Sequence, residues 1–403
     1  MKKIFFTFLF LFTITIFSNA QKAFVNQIIN SVNIDSLMLT VKQLSGDTTI
    51  ILNNKIDSIT SRYADSPDVK KVTAFIGQKF KSFGLTPVEQ SYLNYKGYSG
   101  KNIYAYQQGT DKSNNCYIIC AHYDNLPPGA RNYGSDDNGS GVAAVLEAAR
   151  LLSKHSLPFS IYYILFDHEE LGLIGSDYWA GTHLNGDTPV LGTINIDMIA
   201  YDGNNDSVAN IHISNVQQLG KNISDKLIDT DSIYNIGINL KVYTDAGPLS
   251  SDHASFWQYF MPAVLFIEDD KTGDFNPKYH TIYDRINLFN TSYYHRMAKL
   301  AIGTLAGFVS DSSRVGIKDI SNQENNLVLY PNPVNNSFTI DHISGKTVLV
   351  KLISTNGEIV FEKEVITENE KLMTQLPPHF PNGLYHVILI NEESVLHKSF
   401  LKE

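Results

Sequence analysis

Imidazoles and carboxylates recur along this chain in five short clusters. They are His122-Tyr123-Asp124, Ser135-Asp136-Asp137-Asn138-Gly139, Asp167-His168-Glu169-Glu170, Asn195-Ile196-Asp197 and His280-Thr281-Ile282-Tyr283-Asp284. His122 and Asp124 are two apart, so in an extended segment both point the same way. The carboxylate can then hold the imidazole while the other ring nitrogen faces a metal. Glycines around Asp136-Asp137 let the backbone turn tightly and place carboxylates near a helix N-terminus. Glu169 and Glu170 are adjacent, an electrostatic cost unless something positive compensates, and a metal ion would do so. Taken singly, each cluster also reads as a capped turn or an exposed charged loop; together they point to one metal centre assembled from distant segments.

The elements that must position them are legible from periodicity. Cys116–Ala121, Ile161–Phe166, Val190–Ile196 and Ala263–Ile267 are apolar runs of strand length; the first two end just before a cluster and the third ends one residue before Asp197. Open α/β sheets bind ligands at the carboxyl ends of their strands. Apolar residues at helical spacing predict helices over Ser66–Phe83, Gly139–Leu152, Gly175–Leu184 and Ser292–Val309. Residues 22–85 read as mostly helical, with strands at Thr86–Tyr95 and Asn102–Gln107 after them. Strands alternating with amphipathic helices predict a three-layer α/β/α domain with a mostly parallel mixed sheet, covered on both faces. Near residue 313 the composition changes. Short β-patterned segments such as Phe338–Ile340, Thr347–Ile353 and Tyr385–Ile390 predict a small all-β sandwich.

The 403-residue chain is 43% hydrophobic and 18% charged, which excludes a mainly disordered protein. Its formal net charge of -9 argues against a nucleic-acid binder. Lys2 and Lys3, the apolar run Ile4–Phe17 and Ser18-Asn19-Ala20 make a secretory signal peptide, with cleavage expected before Gln21. No later apolar stretch is long enough to cross a membrane, so no transmembrane helix is expected. Cys116 and Cys120, the only cysteines, would lie on one face of a strand about 13 Å apart. They are read as buried thiols without a disulfide.

At Asp137 and Glu169-Glu170 the chain resembles the co-catalytic zinc aminopeptidases of peptidase family M28, over roughly residues 60–310, and the other clusters fit in order. The resemblance implies a zinc-exopeptidase fold and two zinc ions per chain. It implies that His122 and Asp197 hold one zinc, Glu170 and His280 the other, and Asp137 both. Glu169 would be the general base acting on a dizinc-activated water. Asp124 would orient His122, and Asp284 would support His280. Ser251-Asp252-His253 resembles a family segment lying behind the ligands, and His253 is a rival to His280. Some family members carry a tyrosine three residues before that segment; Pro248 stands there in this chain. The donor to the oxyanion is therefore unassigned, with Tyr243 and Tyr279 as substitutes.

The tail has its own resemblance. Leu329-Tyr330-Pro331-Asn332-Pro333-Val334, Gly383-Leu384-Tyr385 and the closing Lys398–Glu403 resemble the C-terminal sorting domain of the type IX secretion system. The expected organisation is a signal peptide (1–20), a catalytic domain (21–313), a linker (314–325) and a sorting sandwich (326–403). Peptide or protein N-termini are the expected substrates, the type IX machinery the expected partner, and the cell surface or exterior the expected location. Two other reactions fit the fold: a single-zinc glutaminyl cyclase-like acyl transfer and a carboxypeptidase. A ligand-poor adhesion protein is the non-enzymatic alternative, and the presence of all five ligand positions argues against it.

Overall fold

The computed structural model describes residues 20–311 and 328–403, apart from 94–96, 112–114, 184–188, 216–218, 245–248, 342, 344–346, 355–358, 368–370, 378–379 and 391–394. Most of the expected signal peptide, the linker and Pro248 lie outside the described residues. The described residues fall into two compact units, one on each side of residues 312–327.

The first unit opens with helices α1 (residues 20–31) and α2 (Ile34–Leu44), the hairpin β1 (Ile50–Leu52) and β2 (Lys55–Asp57), and α3 (Val69–Ser82). Strands β3 (Pro87–Leu93), β4 (Ser99–Gln107) and β5 (Cys116–His122) follow, then α4 (Gly141–Leu152), β6 (Ser160–Phe166), α5 (Ile174–His183) and β7 (Val190–Ile196). The remainder is β8 (Val208–His212), α6 (Lys221–Tyr234), β9 (Asn239–Tyr243), α7 (His253–Gln258), β10 (Ala263–Glu268) and α8 (Thr291–Val309). Eight strands form one mixed sheet in the order β3-β4-β6-β5-β7-β10-β8-β9. Its centre, β6-β5-β7-β10, is parallel.

Every residue of β5 is buried, as a strand covered on both faces requires. Alternation divides its side chains: Tyr117, Ile119 and Ala121 enter one core with residues of α1, α2, α3, α4, α6 and α8. Ile118 and Cys120 enter another with Trp179 of α5 and Phe256 of α7. This is the three-layer architecture expected. Cys116 and Cys120 are both buried and unbridged. The helices expected at Ser66–Phe83, Gly139–Leu152, Gly175–Leu184 and Ser292–Val309 are present with small boundary shifts. Residues 22–85 are less helical than expected, because the β1–β2 hairpin interrupts them. Strands β8 and β9 and helices α6 and α7 carried no sequence expectation.

The second unit has a three-stranded sheet, β11 (Val328–Tyr330), β12 (Ser337–Asp341) and β15 (Lys371–Gln375), and a four-stranded one. The latter contains β13 (Thr347–Ser354), β14 (Ile359–Ile366), β16 (Gly383–Ile390) and β17 (Val395–Lys402). Phe338 and Ile340 from the first sheet and Val350, Val387 and Phe400 from the second share one core, so the tail is a β-sandwich. Among the described residues, no helix is long and apolar enough to cross a membrane.

Candidate metal centre

The parallel strands deliver the side chains to one end of the sheet. His122 is the last residue of β5, Asp197 follows the last residue of β7, and Glu169-Glu170 lies three residues beyond β6. Asp137 sits in the irregular turn Ser135–Ser140 that leads into α4, and His280 in the loop after β10. His122 Nε2 lies 3.3 Å from Asp197 Oδ1 and 3.4 Å from Asp137 Oδ1. His280 Nε2 lies 2.9 Å from Glu170 Oε2 and 3.4 Å from Asp137 Oδ2. Asp137 thus turns one carboxylate oxygen toward each histidine. Three groups have potential ligand atoms all within 4.8 Å of one another: His122–Asp137–Asp197, His122–Glu169–Glu170 and Asp137–Glu170–His280.

Neighbouring groups fix these side chains both directly and through the backbone. Asp124 lies beside His122, with Oδ1 3.6 Å and its own carbonyl 3.2 Å from Nδ1. Its two carboxylate oxygens also accept the N–H groups of Glu169 and Glu170, at 3.1 and 3.2 Å. One carboxylate therefore ties the end of β5 to the turn after β6. Ser251 Oγ donates to Asp197 Oδ2 at 2.7 Å and accepts from Asn195 Nδ2 at 2.8 Å. Asn138 donates to the Ile196 carbonyl at 2.8 Å, holding the Asp137 turn against the end of β7.

Asp284 differs from its expected place behind His280. Its carboxylate accepts the N–H groups of Asp136 and Asp137, the latter at 2.9 Å, and Asn276 Nδ2 at 3.2 Å. It braces the Asp137 turn instead. His253 is fully buried against Trp257, ring centroids 4.5 Å apart, and belongs to none of the three groups. Tyr279 stacks on His280 with centroids 3.6 Å apart, whereas Tyr243 stacks on His212 of β8.

Buried carboxylates at this density cannot all carry charge unaided. Burial pushes the Glu170 carboxyl up to about 10, and the neighbouring Asp137 charge adds to it. Burial also raises Glu169 well above the usual range, against the opposing pull of His122. Burial disfavours the charged form of His122, but Glu169 and Asp197 outweigh it and raise the imidazole well above its ordinary value. Burial lowers His280, as suits a neutral ligand.

These directions predict the behaviour of metal-stripped protein. Between pH 6 and 8 the folded cluster keeps at least one proton that the unfolded chain has released, since the Glu170 value of about 10 lies above an unfolded value of 4.5. Stability is then lost as pH rises, at about 1.4 kcal/mol per pH unit per proton. With ~2 °C per kcal/mol, the chelator-treated protein should melt about 5 °C lower at pH 8 than at pH 6. Metal-loaded protein should show a flatter profile, because its ligands are already deprotonated. Thermal melts with and without chelator check this; an apo melting temperature that holds or rises with pH would refute it.

The donor set suits divalent metal: two imidazoles, a carboxylate facing both, and Glu170 Oε1 buried without a hydrogen-bond partner. Sequence reading missed Arg62, a fully buried arginine beside the Asp137 turn, because Ser61-Arg62-Tyr63 lies in a stretch without periodicity or motif. It also missed Glu268, which accepts the N–H groups of Tyr201 and Asn276 behind the same turn. The available signal was an acid directly after the apolar run Ala263–Ile267, as Asp197 stands directly after Val190–Ile196.

Comparison with known proteins places this geometry in a family. Residues 102–305 match the family model for peptidase family M28, half of the chain, and the protein belongs to that family. Residues 328–403 match the secretion system C-terminal sorting domain, which indicates secretion or a place at the cell surface. Among curated proteins, Aminopeptidase YwaD of Bacillus subtilis is 25% identical over 250 residues, covering 60% of this chain and 53% of its own. The chain thus spans about half the length of that relative. Among solved structures, the aminopeptidase LapA of Legionella pneumophila superposes with a TM-score of 0.61 at 24% identity, covering 71% of this chain and 75% of that one. A glutaminyl cyclase of Fimbriiglobus ruber does so with 0.55 at 18% identity, covering 69% and 96%. These likenesses concern the fold, which two different reactions share.

Proposed function

We propose that the protein is a secreted zinc-dependent aminopeptidase that hydrolyses the N-terminal bond of peptides. The observation that carries this reading is Asp137, whose two oxygens face His122 and His280 at 3.4 Å each. That arrangement fits two cations sharing one carboxylate: one held by His122, Asp197 and Asp137, the other by Glu170, His280 and Asp137. Zinc suits mixed imidazole and carboxylate ligands. When bound, the pair supplies Lewis acidity that polarises the scissile carbonyl and lowers the pKa of water.

The chain's own groups supply the rest. Glu169, 3.9 Å from His122 Nε2, takes the proton of the attacking water and passes it to the leaving amine. Asp124 holds His122 and the Glu169-Glu170 turn together. Ser251 keeps Asp197 oriented. A free α-amine can sit against a metal or the site's carboxylates, which selects peptide N-termini. Of the two tyrosines named in place of the one missing at Pro248, Tyr279 is the one that stacks on a proposed ligand, His280, and we assign to it the donor for the developing oxyanion. A signal peptide at 1–20, the catalytic domain at 21–313, a linker at 314–325 and the sorting sandwich at 326–403 complete the proposal: export, then delivery by the type IX machinery.

The glutaminyl cyclase-like reading needs one zinc, and the carboxypeptidase reading needs a free substrate carboxylate. The mature protein should bind two zinc ions and cleave free-amine peptides at least about 100-fold faster than N-acetylated ones. Metal analysis and a peptide panel that includes N-terminal glutamine decide the matter. One zinc with pyroglutamate formation would establish the cyclase, and cleavage indifferent to N-blocking would sink the aminopeptidase.

A further inference from the structure

The guanidinium of Arg62 uses all five of its N–H donors on backbone carbonyls. Nε donates to Tyr123 at 2.9 Å, Nη1 to Leu44 at 3.1 Å and Tyr133 at 2.8 Å, and Nη2 to Gly134 at 2.6 Å and Asp137 at 3.4 Å. Its own backbone N–H donates to Asn132 Oδ1 at 3.1 Å. Among the described residues of the first unit, it is the one buried arginine or lysine.

The identity of those carbonyls matters. Tyr123 separates His122 from Asp124. Tyr133 and Gly134 lead into the turn that carries Asp137, and Asp137 contributes its own carbonyl. Leu44 ends α2 and leaves a helix-terminal carbonyl to be satisfied. One planar cation therefore spans the end of β5, the approach to α4 and the N-terminal helices. Gly134 belongs to the same contact. It sits at φ +49°, and an added Cβ would meet the Asn125 side-chain amide first, then the Asp137 carbonyl at 2.5 Å and Arg62 Nη2 at 2.8 Å. Arg62 lies outside the segment that matches the family model, which begins at residue 102.

We propose that Arg62 is a positioning residue of the metal centre: its guanidinium sets Asp137 relative to His122, so the N-terminal segment takes part in building the site. Lysine cannot replace it, since a single ammonium with three donors does not span carbonyls arranged around a plane. The inference rests on the proposed two-metal site.

The test uses the full mature chain with Arg62→Lys, Arg62→Gln and Gly134→Ala. Zinc affinity is measured by competition with a chromophoric chelator, and the site's geometry by the visible spectrum of the cobalt-substituted protein. Variants that keep a cooperative melt should bind at least one metal 10-fold or more weaker than the parent and show an altered cobalt spectrum. A lower melting temperature with zinc affinities within twofold and an unchanged cobalt spectrum would make Arg62 merely structural and overturn the proposal. A series in which no variant folds assigns Arg62 to folding and overturns it equally. The unmutated protein separates this from the functional reading: if it binds fewer than two zinc ions, the two-metal site fails whatever Arg62 does.

Discussion

Replacing Glu169 by glutamine should leave both metals bound and reduce kcat about 1000-fold, within the 10²–10⁴ range of a general acid–base group. The substitution keeps the side chain's shape. It leaves intact the backbone N–H of Glu169 that Asp124 accepts at 3.1 Å, so the turn after β6 stays in place. It removes one of the crowded carboxylates, whose burial already raises it well above its ordinary value. The folded protein should therefore be at least as stable as the parent. Because the loss is confined to proton transfer, KM should change little, and kcat and kcat/KM should fall together. Steady-state kinetics beside zinc analysis provide the check. A rate within tenfold of the parent with two zinc ions bound removes Glu169 as the base; loss of one zinc makes it a ligand.

The sheet was legible because its central strands are apolar and the polar clusters begin where they stop. Cys116–His122 shows why: seven buried residues in a row fit a strand between two helical layers, and chemistry can start only at its open end. Strand β9 gave no such signal. It lies at the sheet's edge with none of its five residues buried, and the alternation of Asn239-Leu240-Lys241-Val242 stops at Tyr243 after only four residues. Helix α6 buries only Ile223, Ser224, Leu227 and Thr230, and its Asp and Lys residues blur the apolar stripe. The hairpin at Ile50–Asp57 has three residues per strand, too few for a period to emerge.

For the candidate site, the side chains that face one another are those whose chemistry is visible in their type. What escaped is the support that acts through the backbone. The resemblance implied that Asp284 supports His280, but its carboxylate receives the amides of Asp136 and Asp137, almost 150 residues away. Arg62 likewise contacts carbonyls that every residue possesses. A carboxylate-to-amide or guanidinium-to-carbonyl bond leaves no complementary residue in the sequence to mark its partner. Such contacts become legible only when the fold is known, and here they converge on the turn that carries Asp137.

That convergence makes Asp137 the residue whose loss should matter most to metal binding. Asp137→Asn retains the size of the side chain and the N–H that donates to Asp284 at 2.9 Å, so the turn should persist. It replaces a charge shared by two ligand groups with a neutral amide. Each group is then left with one imidazole and one carboxylate: His122 with Asp197, and Glu170 with His280. Both zinc affinities should fall by at least about 100-fold, where each tenfold step is ~1.4 kcal/mol. Asp197→Asn and Glu170→Gln should behave differently, each weakening one metal strongly and the other far less. Zinc competition titrations on the three variants distinguish the patterns. If Asp137→Asn loses one metal and keeps the other at the parent's affinity, the carboxylate belongs to a single site, and the dinuclear reading fails at its centre.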